Sequence, residues 1–343
     1  MLYDVGRVMG GNWRPDYDPR IVRRELQIIA NDLHCTAVKI CARDIARLVT
    51  ASEAALEAGL EVWFSPELWN RSPAATLDHL GQAAAAAGKL HNRCPGRLVF
   101  SVGTELSFFM RGILDGATYQ RRTHHPSLRR QIVSDAPNRR LNAFLSTAVM
   151  KARQGFAGPI TYASLPFEQV DWTPFDIIGI DHYWMERIKD RYLGQLAPLL
   201  GHDKPVVITE FGFRTRTGAD QTGPMGPENI ARISGVAALL LPLARRFIRP
   251  RVKTINERNE RLQAHLLLRQ LELLDSAGVD GAFVYSFVAP IMSHGSDPKH
   301  DLDTDSFSIV KTYPRGRRGT SYPDMTWEPK EAFHALARYY AAH

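Results

Sequence analysis

The chain has 343 residues, 44% of them apolar and 23% charged, which suits one large α/β barrel or two ordinary domains and argues against a disordered or membrane-spanning chain. A net charge of +7, from 43 basic and 36 acidic residues, permits an anionic partner without requiring one. The three cysteines, Cys35, Cys41 and Cys94, form no C-x-x-C and join no histidine at zinc spacing. They read as free thiols of a reducing compartment, with no metal and no disulfide framework.

Strand-like and helix-like segments alternate from one end to the other. A first strand is expected near Val5 to Gly10, with Gly11-Asn12-Trp13 opening a loop. Asp18-Pro19 is an N-cap followed by proline at the first helical turn, and Ile21, Val22, Ile28, Ile29 and Leu33 form that helix's apolar face. Thr36 to Cys41 reads as strand two, followed by Arg43-Asp44 and a helix running to Gly59. Glu61 to Ser65 is strand three, ending in Pro66-Glu67-Leu68-Trp69, and Ala74 to His91 is the third helix. Arg97 to Gly103 is a fourth, apolar strand that delivers Glu105.

Arg111 to Pro137 is polar and arginine-rich, with His124-His125, and reads as a long loop beside the site or a lid. A helix follows from Asn138 to Gln154, then strands at Pro159 to Ala163 and Asp176 to Asp181, the latter ending in His182-Tyr183-Trp184. A helix is expected over Glu186 to Leu200. Lys204-Pro205-Val206-Val207-Ile208-Thr209-Glu210-Phe211-Gly212 is the seventh strand, β-branched and apolar until Glu210. Thr215 to Glu228 is a loop. Helices are expected over Glu228 to Phe247 and Glu257 to Ala277, an eighth strand over Gly281 to Ser286, and a last helix over Lys330 to Ala341.

Eight strands, most followed by a helix, imply a parallel sheet, and over this length a closed (β/α)8 TIM barrel of one domain, residues 1–343. Gly10-Gly11 fits neither the dinucleotide fingerprint nor the P-loop, so no nucleotide cofactor is expected. In such a barrel the active site lies at the C-terminal strand ends. Those ends carry Trp13, Arg43, Glu67, Trp69, Thr104, Glu105, Asp181, His182, Tyr183, Trp184, Glu210 and Phe287. A carboxylate at the mouth of a buried strand is costly unless it has partners or a task. Two of them, Glu105 and Glu210, are what glycoside hydrolysis uses, and aromatic rings stack on the C–H faces of sugars.

Strand four with Glu105, the Val-Ile-Thr-Glu210-Phe-Gly run and Asp176-Ile-Ile-Gly-Ile-Asp-His-Tyr183-Trp together resemble clan A of the glycoside hydrolases. The resemblance spans the barrel. It implies Glu105 as acid/base, Glu210 as nucleophile, Tyr183 hydrogen-bonded to Glu210, and Arg43 as its supporting arginine. Phe108 and Phe109 would keep Glu105 in apolar surroundings and so protonated. The sequence departs from the clan at Thr104, where an asparagine usually binds the 2-hydroxyl of the sugar, at Phe287, where a tryptophan commonly ends strand eight, and at His182. The whole chain is also similar to an actinobacterial group labelled "abortive infection protein", a label that names no chemistry.

The expected function is therefore a retaining hydrolase of a small glycoside or oligosaccharide. The alternatives are a transglycosylase using the same pair, and a non-catalytic barrel binding carbohydrate or a phage component. Asp181, His182, Thr104 and Phe287 join the substrate contacts, with Trp13, Trp69 and Trp184 as sugar platforms or as packing. Asp301-Leu-Asp303-Thr-Asp305 lacks the glycine and glutamate of a calcium loop, and is expected beside the cleft. Arg245 to Arg261 is interrupted by Glu257 and Glu260 and reads as a solvated face, not a nucleic-acid site. No apolar run spans a membrane, and with no apolar leader at the N-terminus the expected location is the cytoplasm.

Overall fold

The computed structural model describes residues 1–343 except 9–10, 225–229, 232–249 and 315, and gives only the backbone of Ile230 and Ala231. Eight parallel strands form one sheet in chain order: β1 (Leu2–Asp4), β2 (Ala37–Ala42), β3 (Glu61–Pro66), β4 (Leu98–Thr104), β5 (Ile160–Ser164), β6 (Ile178–Asp181), β7 (Val206–Phe211) and β8 (Gly281–Val284). The Phe287 N–H donates to Leu2 O at 3.0 Å and draws the last strand onto the first. The fold is the expected TIM barrel.

The helices form where their caps and apolar spacing place them. Asp18 caps Pro19–Asn31, Asp44 caps Ile45–Glu57 and Ser72 caps Pro73–Arg93, each by a side-chain oxygen accepting a first-turn N–H. Helices Asp135–Arg153, Tyr192–Leu200, Glu260–Ser276 and Glu331–Ala342 complete the outer ring among the described residues. Their inner faces and the outer faces of the strands bury one large apolar core. Inside the barrel, Trp63, Val99, Val207 and Phe283 plug the N-terminal end. The mouth above this plug carries buried polar side chains, among them Glu67, Thr104, Asp181 and Glu210.

Three expectations shift. The first strand ends at Asp4 and not near Gly10, because the Asp4 carboxylate turns back to accept the N–H groups of Gly6 (2.7 Å) and Arg7 (3.1 Å). Gly6 takes φ +136° in that turn, a conformation that favours glycine. The turn brings Arg7 to the mouth. The arginine-rich stretch after β4 is not a structureless lid: it contains two short helices, Tyr119–Thr123 and Leu128–Ile132. Fully buried Arg122 staples it down, donating to Phe108 O (2.6 Å), Gly116 O (2.8 Å) and Asn70 Oδ1 (2.6 Å). The helix expected over 228–247 falls almost wholly outside the described residues, where Ile230–Ala231 pairs antiparallel with Arg251–Val252.

Candidate active site

Glu210 lies at the end of β7, opposite Asp181 of β6 in the sheet register. Its Oε1 accepts the Tyr183 hydroxyl at 2.6 Å. Its Oε2 faces Arg7 Nη2 at 3.4 Å. Burial and the neighbouring Glu210 charge push the Tyr183 hydroxyl well above its ordinary range, so it is a neutral donor. A phenol on one oxygen and a guanidinium on the other are complementary to an anionic carboxylate.

Arg7 is itself immobilised. It grips Glu67 through Nε and Nη2, both at 2.8 Å, lies 3.5 Å from Asp4 Oδ2, and donates to Cys41 Sγ at 3.3 Å. Its guanidinium carbon is 5.6 Å from the Tyr285 ring centroid. One buried cation thus ties together the ends of β1, β2, β3, β7 and β8. Glu67 also accepts Trp69 Nε1 at 3.3 Å.

Glu105 follows β4 in the left-handed conformation, φ 46° and ψ 44°, costly for a residue with a Cβ. The backbone around it is pinned. Glu105 N–H donates to Ala163 O at 2.8 Å, Leu106 N–H to the Tyr162 hydroxyl at 2.8 Å, and Ser107 N–H to Glu168 Oε1 at 3.1 Å. Glu168 closes the brace by accepting the Tyr162 hydroxyl and the Leu165 N–H, both at 2.9 Å. The Glu105 carboxyl is held well above the ordinary carboxylate range, first by desolvation and then by the charges of Asp181, Glu210 and Glu168. The mouth therefore pairs a carboxyl pushed toward its protonated form with a carboxyl whose partners suit negative charge.

Asp181, Tyr183 and Thr104 stand at the mouth with the two glutamates. Thr104 is buried, and its hydroxyl has no partner among the described residues. Trp13 is partly exposed, and its N–H donates to Arg7 O at 3.0 Å.

Other expected contacts do not reach the site. Arg43 is exposed, and the guanidinium on Glu210 is that of Arg7. His182 is fully buried and stacks on Tyr192, centroids 4.3 Å apart, with Nε2 3.2 Å from Tyr192 O. Burial lowers its pKa to about 4, and the stack turns its ring onto the helix that follows β6. Trp184 is buried with Arg269 across its ring at 4.6 Å. Trp69 is buried, with one face stacked 3.5 Å from Phe109 and its indole N–H turned to Glu67. Phe287 lies in the seam between β8 and β1, edge-on to Trp327. The aromatic at the strand-eight end is Tyr285, whose peptide bond to Ser286 is cis.

Sequence reasoning missed Arg7, Lys39, Tyr162, Glu168 and Tyr285. Lys39 was detectable, as a lysine inside the apolar run of strand two. Glu168 and Tyr162 had no signal, because their role arises from the fold of the turn they brace.

Asp301, Asp303 and Asp305 do not form a metal site. Arg258 reaches Asp303 at 2.7 Å and Asp301 at 3.2 Å, Lys330 reaches Asp303 at 2.9 Å, and Arg214 reaches Asp305 at 3.4 Å. Arg258 of the expected solvated face is therefore turned inward. Among the described residues no group of three His, Cys, Asp or Glu could hold a metal ion, and no helix is long and apolar enough to cross a membrane.

No sequence-family profile and no curated protein matches this chain. Solved structures do. A family GH113 β-1,4-mannanase superposes with TM-score 0.60 at 14% identity, covering 94% of this chain and 93% of its own. The GH113 β-mannanase AaManA from Alicyclobacillus acidocaldarius gives 0.56 at 15% identity, over 100% and 96%. PbGH5A, a glycoside hydrolase family 5 enzyme from Prevotella bryantii B14, gives 0.51 at 11%, over 98% and 88%. At these identities the likeness is one of fold: this chain is built on the TIM barrel found in glycoside hydrolases of families 113 and 5.

Proposed function

We propose that the protein is a retaining glycoside hydrolase of clan A type, with Glu210 as nucleophile and Glu105 as acid/base. The observation that carries the reading is the contrast between the two carboxyls: Glu210 held by Tyr183 and Arg7, Glu105 desolvated among other carboxylates. In the first step a Glu210 oxygen attacks the anomeric carbon. The bond to the leaving group breaks, and its oxygen takes the Glu105 proton. In the second, Glu105 takes a proton from water, the water oxygen bonds to the anomeric carbon, and Glu210 departs as carboxylate.

The substrate we propose is a β-linked glycoside or short oligosaccharide. The support is that the similar structures include β-1,4-mannanases and a β-glucuronidase. Thr104 is shorter than asparagine and lacks its amide, so recognition at C2 differs from the common clan pattern. The test is product release from a panel of aryl β-glycosides and oligosaccharides, mannosides, glucosides and glucuronides included. Wild type is compared with Glu210→Gln and Glu105→Gln. Turnover by wild type that Glu210→Gln lacks supports the reading. Silence of the wild type across the panel, with sugar binding retained, replaces it with a carbohydrate-binding barrel. Disaccharide synthesis exceeding hydrolysis marks a transglycosylase.

A further inference from the structure

The stretch from Arg111 to Arg140, which follows Glu105 and its short helix, holds seven arginines and two aspartates, a surplus of +5 in a chain that carries +7 in all. Arg122 is the buried staple, and Arg140 donates to Ile113 O at 2.6 Å. Arg111, Arg121, Arg129 and Arg130 are exposed. Among the described residues, the stretch has one ion pair, Arg139 with Asp135 at 3.8 Å. The basic segment after β7 is different: its Arg258 is held by Glu260, Asp301 and Asp303.

Part of this surplus borders a groove. Gln120, Arg121, His124 and His125, with Ala117 and Pro126, line an open groove of about 570 Å³, the size of a small-ligand site. Arg111 Nε donates to Ala117 O at 3.2 Å, which ties a second guanidinium to the same rim. The groove is fastened to the loops after β3 and β4, the strands of Glu67 and Glu105. The Tyr119 ring packs on Trp69, Phe109 and Phe108, with centroids 5.5, 5.4 and 6.4 Å away. Asn70 Oδ1 accepts the Tyr119 N–H at 2.6 Å, and Arg111 N–H donates to Arg71 O at 2.9 Å. The mouth has the opposite sign. There Asp4, Glu67, Glu105, Asp181 and Glu210 face two cations, Arg7 and Lys39. Lys39 is fully buried on β2 and donates to Thr209 O at 3.4 Å. An anionic sugar is therefore disfavoured at the reacting position and attracted beside it.

We propose that this groove binds the acidic units of a glycan, so that the substrate presents a neutral sugar to Glu105 and Glu210 and carries carboxylates or sulfates on its leaving-group side. This rests on the glycosidase reading, in which the leaving group departs toward Glu105, the residue that the arginine-rich stretch follows. Planar guanidinium groups match such oxyanions. A single-stranded nucleic acid fits less well. The Tyr119, Phe108 and Phe109 rings pack on one another and on Trp69, and no phenyl, phenol or indole ring lines the groove, so bases find no stacking platform there.

The experiment is calorimetric binding to Glu210→Gln, which holds a glycan without cleaving it, and to the same protein with Arg111→Gln and Arg121→Gln. The probes are a neutral oligosaccharide, an oligouronate and a sulfated oligosaccharide of equal length, and a single-stranded oligonucleotide of equal charge. We expect one acidic glycan to bind about tenfold tighter than the neutral one, the scale of two exposed charge pairs. The preference should vanish in the arginine variant and weaken as salt is raised. Arg121→Gln alone should remove about half of it on a logarithmic scale. The tighter of the two acidic glycans identifies the anionic group. Equal affinity for acidic and neutral chains overturns the proposal. So does a preference that survives loss of both arginines, or an oligonucleotide that binds tighter than either acidic glycan. In wild type, kcat/KM should be higher for a neutral sugar with an acidic leaving group than for the same units in reverse order, and the opposite ranking overturns the leaving-group placement. Preferential binding by a protein that hydrolyses no glycoside refutes the glycosidase reading and leaves the acidic-glycan groove standing. Hydrolysis without preferential binding does the reverse.

Discussion

The molecule holds two buried charge clusters, bridged by Phe307, which meets Arg214 of one and Tyr183 and Tyr285 of the other. At the barrel mouth, Asp4, Glu67, Glu105, Asp181 and Glu210 share the cations Arg7 and Lys39. In the segments that follow β7 and β8, Asp301, Asp303, Asp305 and Glu260 meet Arg214, Arg216, Arg258, Lys311 and Lys330. The carboxyls respond in opposite senses. Burial raises Asp4 to about 6 and Asp181 to about 7. In the second cluster, hydrogen bonds and cations outweigh burial and hold Asp301 and Glu260 below their ordinary values. A matched cluster fastens loops. A mouth short of cations favours the protonated form of its raised carboxyls, the condition that the acid/base role proposed for Glu105 needs.

The largest effect expected on this contrast is at Glu210. Glu210→Gln should lower kcat/KM on the best substrate by about 10⁴-fold or more, the scale of losing a nucleophile, with the far-ultraviolet circular dichroism unchanged. A smaller loss removes the nucleophile assignment. In the second cluster, Lys330→Met should cost about 3–5 kcal/mol in urea unfolding, the scale of breaking a buried ion pair on one side. Lys330 is fully buried and also donates to Thr215 Oγ1 and Ser308 O, each at 2.7 Å. The alkaline limb of the variant's kcat/KM pH profile should match wild type. A moved limb would mean the clusters are not separate in function.

The clusters should also part in the pH dependence of stability. Asp181 rises from an ordinary 3.8 to about 7 on folding. Its contribution is full below the unfolded value and is lost as pH climbs from about 4 to 7, by at most about 4 kcal/mol. Asp301 and Glu260 are depressed, so their contribution is present above their unfolded values and lost as the pH falls further. Urea unfolding of Asp181→Asn between pH 4 and 8 should therefore show a flatter decline than wild type, with acid unfolding unchanged. Next in size, Tyr183→Phe removes one hydrogen bond to a charged group, about 1.5–3 kcal/mol. We expect kcat/KM to fall about 10- to 100-fold. A fall below threefold would leave Arg7 as the sole support of Glu210.

The barrel was legible because each strand is a short apolar run bounded by caps and turns, and Glu105 and Glu210 because each ends such a run. The surroundings of the pair were only half legible. Tyr183 follows strand six by register alone, and the structure places it on Glu210. Phe287 was expected at the site, and Trp69 and Trp184 were left open between sugar platform and packing, because an aromatic near a strand end can face the site or the neighbouring loop, and only the loop packing decides. Trp69 faces Phe109, and Phe287 faces the seam. Arg7 was missed because strand one ends at Asp4, several residues earlier than its hydrophobicity suggests. That turn exists through side-chain bonds from Asp4 that no periodicity reveals.

The same displacement yields the smallest effect and the sharpest check on the geometry of the mouth. Arg43 stands directly after strand two, where the resemblance to clan A placed the arginine supporting the nucleophile, but it is exposed. Its N–H donates to Gly6 O at 3.3 Å, so its backbone meets the turn that carries Arg7, while the guanidinium on Glu210 belongs to Arg7. Arg43→Ala should change stability by less than about 0.5 kcal/mol, as exposed substitutions do, and kcat/KM by less than about twofold. Arg7→Ala leaves Glu67 buried without its cation and should be severe on both counts. A large kinetic loss in Arg43→Ala would mean that the arginine after strand two swings in when a sugar binds, and that Arg7 serves the frame of the barrel and not its chemistry.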